Sequence, residues 1–255
     1  MQDLYAGDVG DYGKFSLLKS LFGDTNHILG VTWYLFPDEL NNNDGGHTDY
    51  VDKQNFLDCD KELCKILKKV VEGKRSVSAL EKAGLLPGNT VFFSGKLDFH
   101  IRYSSQSHID KVKRESSRNN WLKNANQSVV NCDVLFLDPD NGLEITSCKK
   151  LNQMRSGKFA YYSEISVLAK NKHVCIIYHH LNRHGTHSLQ IKTRVDELRK
   201  QVNPSGQIFA LRFWPYNPRA YFILTDSQSE TNIKYSIDNF LQTKCSKFWD
   251  FYTVG

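Results

Sequence analysis

Two hydrophobic periods alternate along this chain. Ile28-Leu-Gly-Val-Thr-Trp-Tyr-Leu-Phe36, Thr90-Val-Phe-Phe-Ser94, Val134-Leu-Phe-Leu137, Lys172-His-Val-Cys-Ile-Ile-Tyr-His-His180, and the runs 208–213 and 221–225 are short, apolar, and rich in β-branched and aromatic residues. That composition predicts buried strands. Helical spacing separates them. Phe15, Leu18, Leu21 and Phe22 fall on one face of a helix over 11–22 that stops at Gly23. Phe56, Leu63, Ile66, Leu67 and Val70, then 77–83, predict short helices within 54–86 and no strand. Further helices are expected over 107–125, 161–170, 187–202 and 230–242. Strand–helix alternation with two adjacent strands near the end predicts a three-layer α/β fold. Its sheet is mostly parallel with one late antiparallel strand, and residues 54–86 form a helical insertion.

Composition narrows this picture. With 255 residues, 40% hydrophobic and 24% charged, the chain suits one globular α/β domain over 1–255. No run approaches the roughly 18 apolar residues of a membrane span. The start, Met1-Gln-Asp-Leu-Tyr-Ala-Gly-Asp, carries acids where a signal peptide carries Lys and Arg, so a cytoplasmic location is expected. The six cysteines contain no C-x-x-C pair, which predicts neither a zinc site nor a disulfide framework. A net charge of +5 permits an anionic partner without demanding one.

Candidate chemistry gathers at the strand ends. The run through Leu137 empties into Asp138-Pro-Asp-Asn-Gly142 and then Glu144; Pro139 has no N–H to extend a ladder. In open α/β sheets ligands collect beyond the carboxyl ends of strands, so Asp138, Asp140 and Asn141 are candidate catalytic residues. A turn using Asp and Asn only to bond its own backbone is the alternative. The run 172–180 also ends in polar residues, His179, His180, Asn182, Arg183 and His184. Adjacent histidines on a strand face opposite ways; His179 is taken as the catalytic candidate. Near the start, Asp8, Asp11 and Lys14 cluster where the first helix begins, more than one N-cap requires. The loop from Asn41 to Asp49 is polar and contains two glycines, a composition suited to a mobile or ligand-facing segment. There is no G-x-G-x-x-G. Lys111, Lys113, Arg114 and Arg118 make 107–125 a basic helix and a candidate nucleic-acid surface, or an ordinary solvated face.

In its order of elements the chain resembles the Rossmann-like class I S-adenosylmethionine-dependent methyltransferases, whose sheet ends with a late antiparallel strand. Ala6-Gly-Asp-Val-Gly-Asp-Tyr-Gly-Lys14 is similar to the Ala-Gly-Asn-x-x-Asp-x-x-Lys motif of ribosomal RNA adenine-N6 methyltransferases, with Asp8 replacing Asn. Those enzymes also carry a helical insertion after the first strand. Their Asp-Pro-Pro-Tyr corresponds to Asp138-Pro-Asp-Asn141, so Asp140 and Asn141 replace the second proline and the aromatic. Leu35-Phe-Pro-Asp38 stands where the family's glycine-rich turn would be. Asp138 to Glu144 also resembles an Asp-Pro-Asp-Asn-Gly-Leu-Glu signature shared by a group of bacterial proteins. The resemblance implies S-adenosylmethionine as cofactor, held by Asp8, Asp11, Lys14 and Pro37, with Asp138 accepting from the target amine.

Three functions follow. The first is methyl transfer to an exocyclic amine of nucleic acid, which depends on positioning more than on acid–base strength. The second is a metal-dependent hydrolase or nuclease, with Asp138, Asp140, Glu144 and Glu164 as oxygen ligands for Mg²⁺. The third is a non-catalytic scaffold binding a nucleotide or a partner protein.

Overall fold

In a computed structural model, which describes residues 1–39, 45–203 and 205–252, the apolar runs form one seven-stranded mixed sheet. In chain order, the strands are β1 (Leu29–Trp33), β2 (Val91–Phe93), β3 (Val134–Asp138), the two-residue β4 (Gly142–Leu143) and β5 (Phe159–Ala160), β6 (Val174–His180), β7 (Ile208–Phe213), β8 (Arg219–Thr225) and β9 (Trp249–Tyr252). The large sheet runs β2-β1-β3-β6-β8-β7-β9, while β4 and β5 pair separately. β2, β1, β3 and β6 are parallel; β8 runs against both β6 and β7. The fold is α/β and Rossmann-like, with the late reversed strand that the alternation predicted. β9, which pairs antiparallel with β7, was not among the expected strands.

The helices are α1 (Val9–Phe22), α2 (Gln54–Leu57), α3 (Lys61–Glu72), α4 (Val77–Lys82), α5 (Phe99–Arg102), α6 (His108–Ser128), α7 (Tyr162–Leu168), α8 (His187–Gln201) and α9 (Glu230–Phe240). They pack on both sheet faces, each covering one parity of the strands. Val134, Phe136, Ile176, Tyr178, Tyr221 and Ile223 face one layer, with residues of α1, α3 and α9. Leu135, Leu137, Cys175, Ile177, Phe222 and Leu224 face the other, with residues of α6, α7 and α8. α1 is buried along most of its length. Leu63, Leu67 and Val70 of the 54–86 segment join the core that α1 occupies, so α1 is covered on its outer side as well as by the sheet.

One expectation changes. The cysteines are not all free: Cys59, just after α2, and Cys245, in the turn before β9, form a disulfide with their Cα atoms 4.8 Å apart. A pair 186 residues apart in the chain leaves no spacing signature. The polar loop after β1 is described only from Gly45 onward; Asn41 to Asp44 lie outside the described residues.

Candidate functional site

Lys14 joins the two motifs that the sequence singled out. Strand parity turns Asp138 toward the face that α1 covers, in line with Val134 and Phe136. From the second turn of α1, the Lys14 ammonium lies 2.8 Å from Asp138 Oδ2 and 2.8 Å from Asp11 Oδ1, and 4.8 Å over the ring of Trp33. All three charged groups are buried. Burial alone would lower the pKa of Lys14, but Asp11 and Asp138 outweigh it and hold the ammonium protonated. Burial pushes the Asp138 carboxyl above its ordinary range, against the pull of Lys14.

The entrance to α1 is fixed from both sides. Asp8 caps the helix, its Oδ1 accepting from Gly10 N at 2.7 Å and Asp11 N at 3.3 Å. Its other oxygen is 3.4 Å from Arg219. Asp11 Oδ2 accepts from Gly7 N at 2.7 Å. Gly10 allows Arg219 to lie against the helix, since a Cβ there would stand 2.9 Å from Arg219 Nε. Arg219 Nε donates to Tyr178 Oη at 3.0 Å, and Tyr178 Oη lies 2.8 Å from His180 Nε2.

The turn after β3 is held from the opposite side. Asn141 N donates to Lys158 O at 2.8 Å. Asp140 is bonded by Gln2 Nε2 at 3.1 Å and lies 3.4 Å from Lys158 Nζ and 3.5 Å from the Met1 amino group. Burial would raise the Asp140 carboxyl, but these cationic groups overcome it and the net shift is downward. Strand order reverses between β1 and β3, and the crevice there is filled by the start of the chain. The Met1 amino group donates to Tyr34 O at 3.0 Å, and Phe36 N donates to Met1 O at 2.8 Å.

These groups surround a cavity of about 510 Å³ whose lining includes Asp8, Asp11, Lys14, Asp138, Asp140 and Asn141. His180, Arg183, His184, His187 and Arg219 add to its polar wall, with Leu181, Pro139 and Pro218 among its apolar surface. Two carboxylate motifs and the end of β6 therefore converge on one rim.

Other candidates lie elsewhere. His179 points to the far face, where its Nδ1 accepts from Leu143 N at 3.0 Å; the cavity histidine of the pair is His180. Burial keeps His179 neutral, its pKa well below the usual value. Pro37 is not in the cavity lining: the segment after β1 is spent on the chain's own packing, with Phe36 stacked on His100 at 4.3 Å. Glu144 is outside the cavity, and its carbonyl accepts from Arg194 at 3.0 Å. Glu164 is paired with Arg118 through two bonds of 2.6 and 2.8 Å. The four carboxylates of the Mg²⁺ alternative are thus not gathered. Among the described residues, no group of three or more His, Cys, Asp or Glu is placed to hold a metal ion.

The basic helix is also not what its charges suggested. Arg114 and Arg118 are fully buried. Arg114 donates to the carbonyls of Asn152 at 2.6 Å and Ser105 at 2.8 Å. Arg118 donates to those of Ser156 at 3.1 Å and Phe159 at 2.7 Å, propping the segment that brings Lys158 to Asp140. Lys111 is half-buried, and only Lys113 of the four is exposed. Arg219 and Tyr178 were not among the expected site residues. The signal was present in strand parity: Tyr178 and His180 share a face with Ile176, and Arg219 with Tyr221.

Fold and site together define an α/β protein with a polar, mixed-charge cavity at the carboxyl edge of its parallel strands. No family model matches the chain, and no curated protein matches it. No helix of the described residues is long and apolar enough to cross a membrane.

Proposed function

We propose that the chain is a methyltransferase-like enzyme that takes S-adenosylmethionine in the carboxyl-edge cavity and acts on an exocyclic amine of nucleic acid. The observation that carries this reading is the bridge made by Lys14. One buried ammonium joins the carboxylate of the Ala6–Lys14 motif to the carboxylate of the Asp138-Pro139 turn, so both halves of the resemblance serve one site.

The residues suit such a cofactor. A cavity of about 510 Å³ is of a size that encloses a small molecule. Its wall alternates carboxylates, cations and apolar surface, as a zwitterionic nucleoside needs. Asp8, Asp11 and Lys14 would form the wall against it. When bound, the cofactor supplies an activated methyl group. Asp138 is fixed by Lys14 through one oxygen, leaving the carboxylate's other oxygen as the acceptor for an amine N–H. Burial strengthens that acceptor by raising its affinity for a proton. The turn itself offers no aromatic for stacking, because Asn141 occupies that place.

Calorimetry with S-adenosylmethionine and with S-adenosylhomocysteine tests the reading. Binding of at least one is expected, and silence from both ends it. Asp138→Asn keeps the shape and should preserve cofactor affinity within a few-fold, while transfer to single-stranded nucleic acid falls about 10²-fold or more.

A further inference from the structure

His180 lines the cavity and has one ring nitrogen already committed, and its neighbours decide which nitrogen carries the proton. Arg219 can only donate, so Tyr178 Oη must accept from Arg219 Nε at 3.0 Å. The Tyr178 hydroxyl proton then needs an acceptor, and His180 Nε2 at 2.8 Å is the one present among the described residues. Nε2 therefore carries a lone pair, and the proton sits on Nδ1. Among the described residues, Nδ1 makes no hydrogen bond, and His180 lines the cavity. Asp138 is on the neighbouring strand and on the same face: Leu137 pairs with Ile177, so Asp138 stands beside Tyr178 and His180 two residues further out.

We infer that His180 is the specificity-determining residue of this site, presenting a fixed Nδ1–H donor beside the Asp138 acceptor to read a heteroaromatic edge in which an exocyclic amine adjoins a ring nitrogen. The pairing is complementary: the amine donates to Asp138 and the ring nitrogen accepts from His180. Burial, with Arg219 adding to it, pushes the pKa of His180 down to about 3. The imidazole thus stays neutral and does not exchange its donor role for a charge near neutral pH. Facing it are Tyr178, Arg219, Asp140, the Met1 amino group and Lys14; of these, the Met1 amino group is the one whose pKa burial lowers from its ordinary value of 8.0, toward the neutral range. With Nε2 held by Tyr178 and Nδ1 protonated, His180 binds and orients and is not a general base.

The inference rests on the methyl-transfer reading for its ligand class. One amine–ring-nitrogen edge could belong to the cofactor's own adenine or to a target base. The test is calorimetry of the full chain with adenosine, 1-deazaadenosine and 7-deazaadenosine, alone and with saturating S-adenosylhomocysteine. Wild type should bind adenosine about tenfold more tightly than the deaza analogue that lacks the nitrogen read by His180. That preference should vanish in His180→Ala, return in His180→Gln, which restores an N–H donor, and weaken in Tyr178→Phe, which frees the tautomer. Competition by S-adenosylhomocysteine assigns the edge to the cofactor; simultaneous binding assigns it to a target base. No preference in wild type, no binding of adenosine at millimolar concentration, or a preference that survives in a folded His180→Ala protein overturns the inference. If S-adenosylhomocysteine binds without any deaza preference, only this inference falls. A deaza preference without binding of either cofactor form leaves His180 its role and removes methyl transfer.

Discussion

At Gly142 the backbone has φ +102°, and a Cβ would lie 2.1 Å from His179 Nδ1. The glycine lets the chain turn out of the Asp138–Asn141 corner directly against that histidine, which then accepts from Leu143 N. Gly142→Ala combines a left-handed conformation with a steric overlap, and a loss of about 3 kcal/mol or more is expected in denaturant unfolding. The two histidines also set an acid response. Both have pKa values below the ordinary value in the fold, His180 near 3 and His179 well down as well. Below about pH 6.5 the unfolded chain takes up protons that the fold refuses, so stability falls as pH drops from there toward 3. The slope is up to about 1.4 kcal/mol per pH unit for each histidine. Asp138, raised by burial, works in the opposite direction over the carboxylate range. Unfolding midpoints at pH 7.5, 6.0 and 5.0 should descend, and His180→Gln should flatten part of that descent. Which histidine enters the cavity was legible from parity: His180 is in phase with Ile176 and Tyr178. What parity could not supply was Arg219, since the expected run began at Tyr221 and the strand starts two residues earlier, with Arg219 paired to His180.

Helix α6 shows why charge alone misreads an element. Arg114, Arg118, Trp121 and Ala125 recur at helical spacing and are the buried residues of the helix, so its core stripe contains two guanidinium groups. A sequence shows their charge but not the loop carbonyls waiting for them, because Ser105, Asn152, Ser156 and Phe159 are brought in by other segments. Arg118→Met should cost about 3–5 kcal/mol by leaving Glu164 buried without its partner. The double variant Arg118→Met/Glu164→Leu should recover most of that loss. Thermal or urea unfolding of the two proteins measures the difference, and equal losses would show that Arg118 acts through its carbonyl contacts alone. Lys14 is the contrasting case. Its place in the Asp8–Lys14 cluster was visible, and the acids before it marked the helix start, but its reach to Asp138 required β3 to lie under α1.

For the whole molecule, strand–helix alternation was enough to give the layers, because each buried strand must be covered on both faces. The last strand escaped notice for a physical reason: β9 is four residues at an edge, interrupted by Asp250, and it is secured by pairing with β7 and by Arg212 bonding Asp250 at 2.8 Å. The disulfide escaped because nothing in the sequence brings Cys59 and Cys245 together. It ties the segment covering α1 to the turn that feeds β9. Closing so long a loop restricts the unfolded chain, and removal by Cys59→Ser or by a thiol reductant is expected to cost about 2–5 kcal/mol. Chemical unfolding with and without reductant checks this, and the variant should show no further response to the reductant. A protease that cut the backbone anywhere between the two half-cystines would yield two pieces that migrate as one species on a gel, and separate only when dithiothreitol is added.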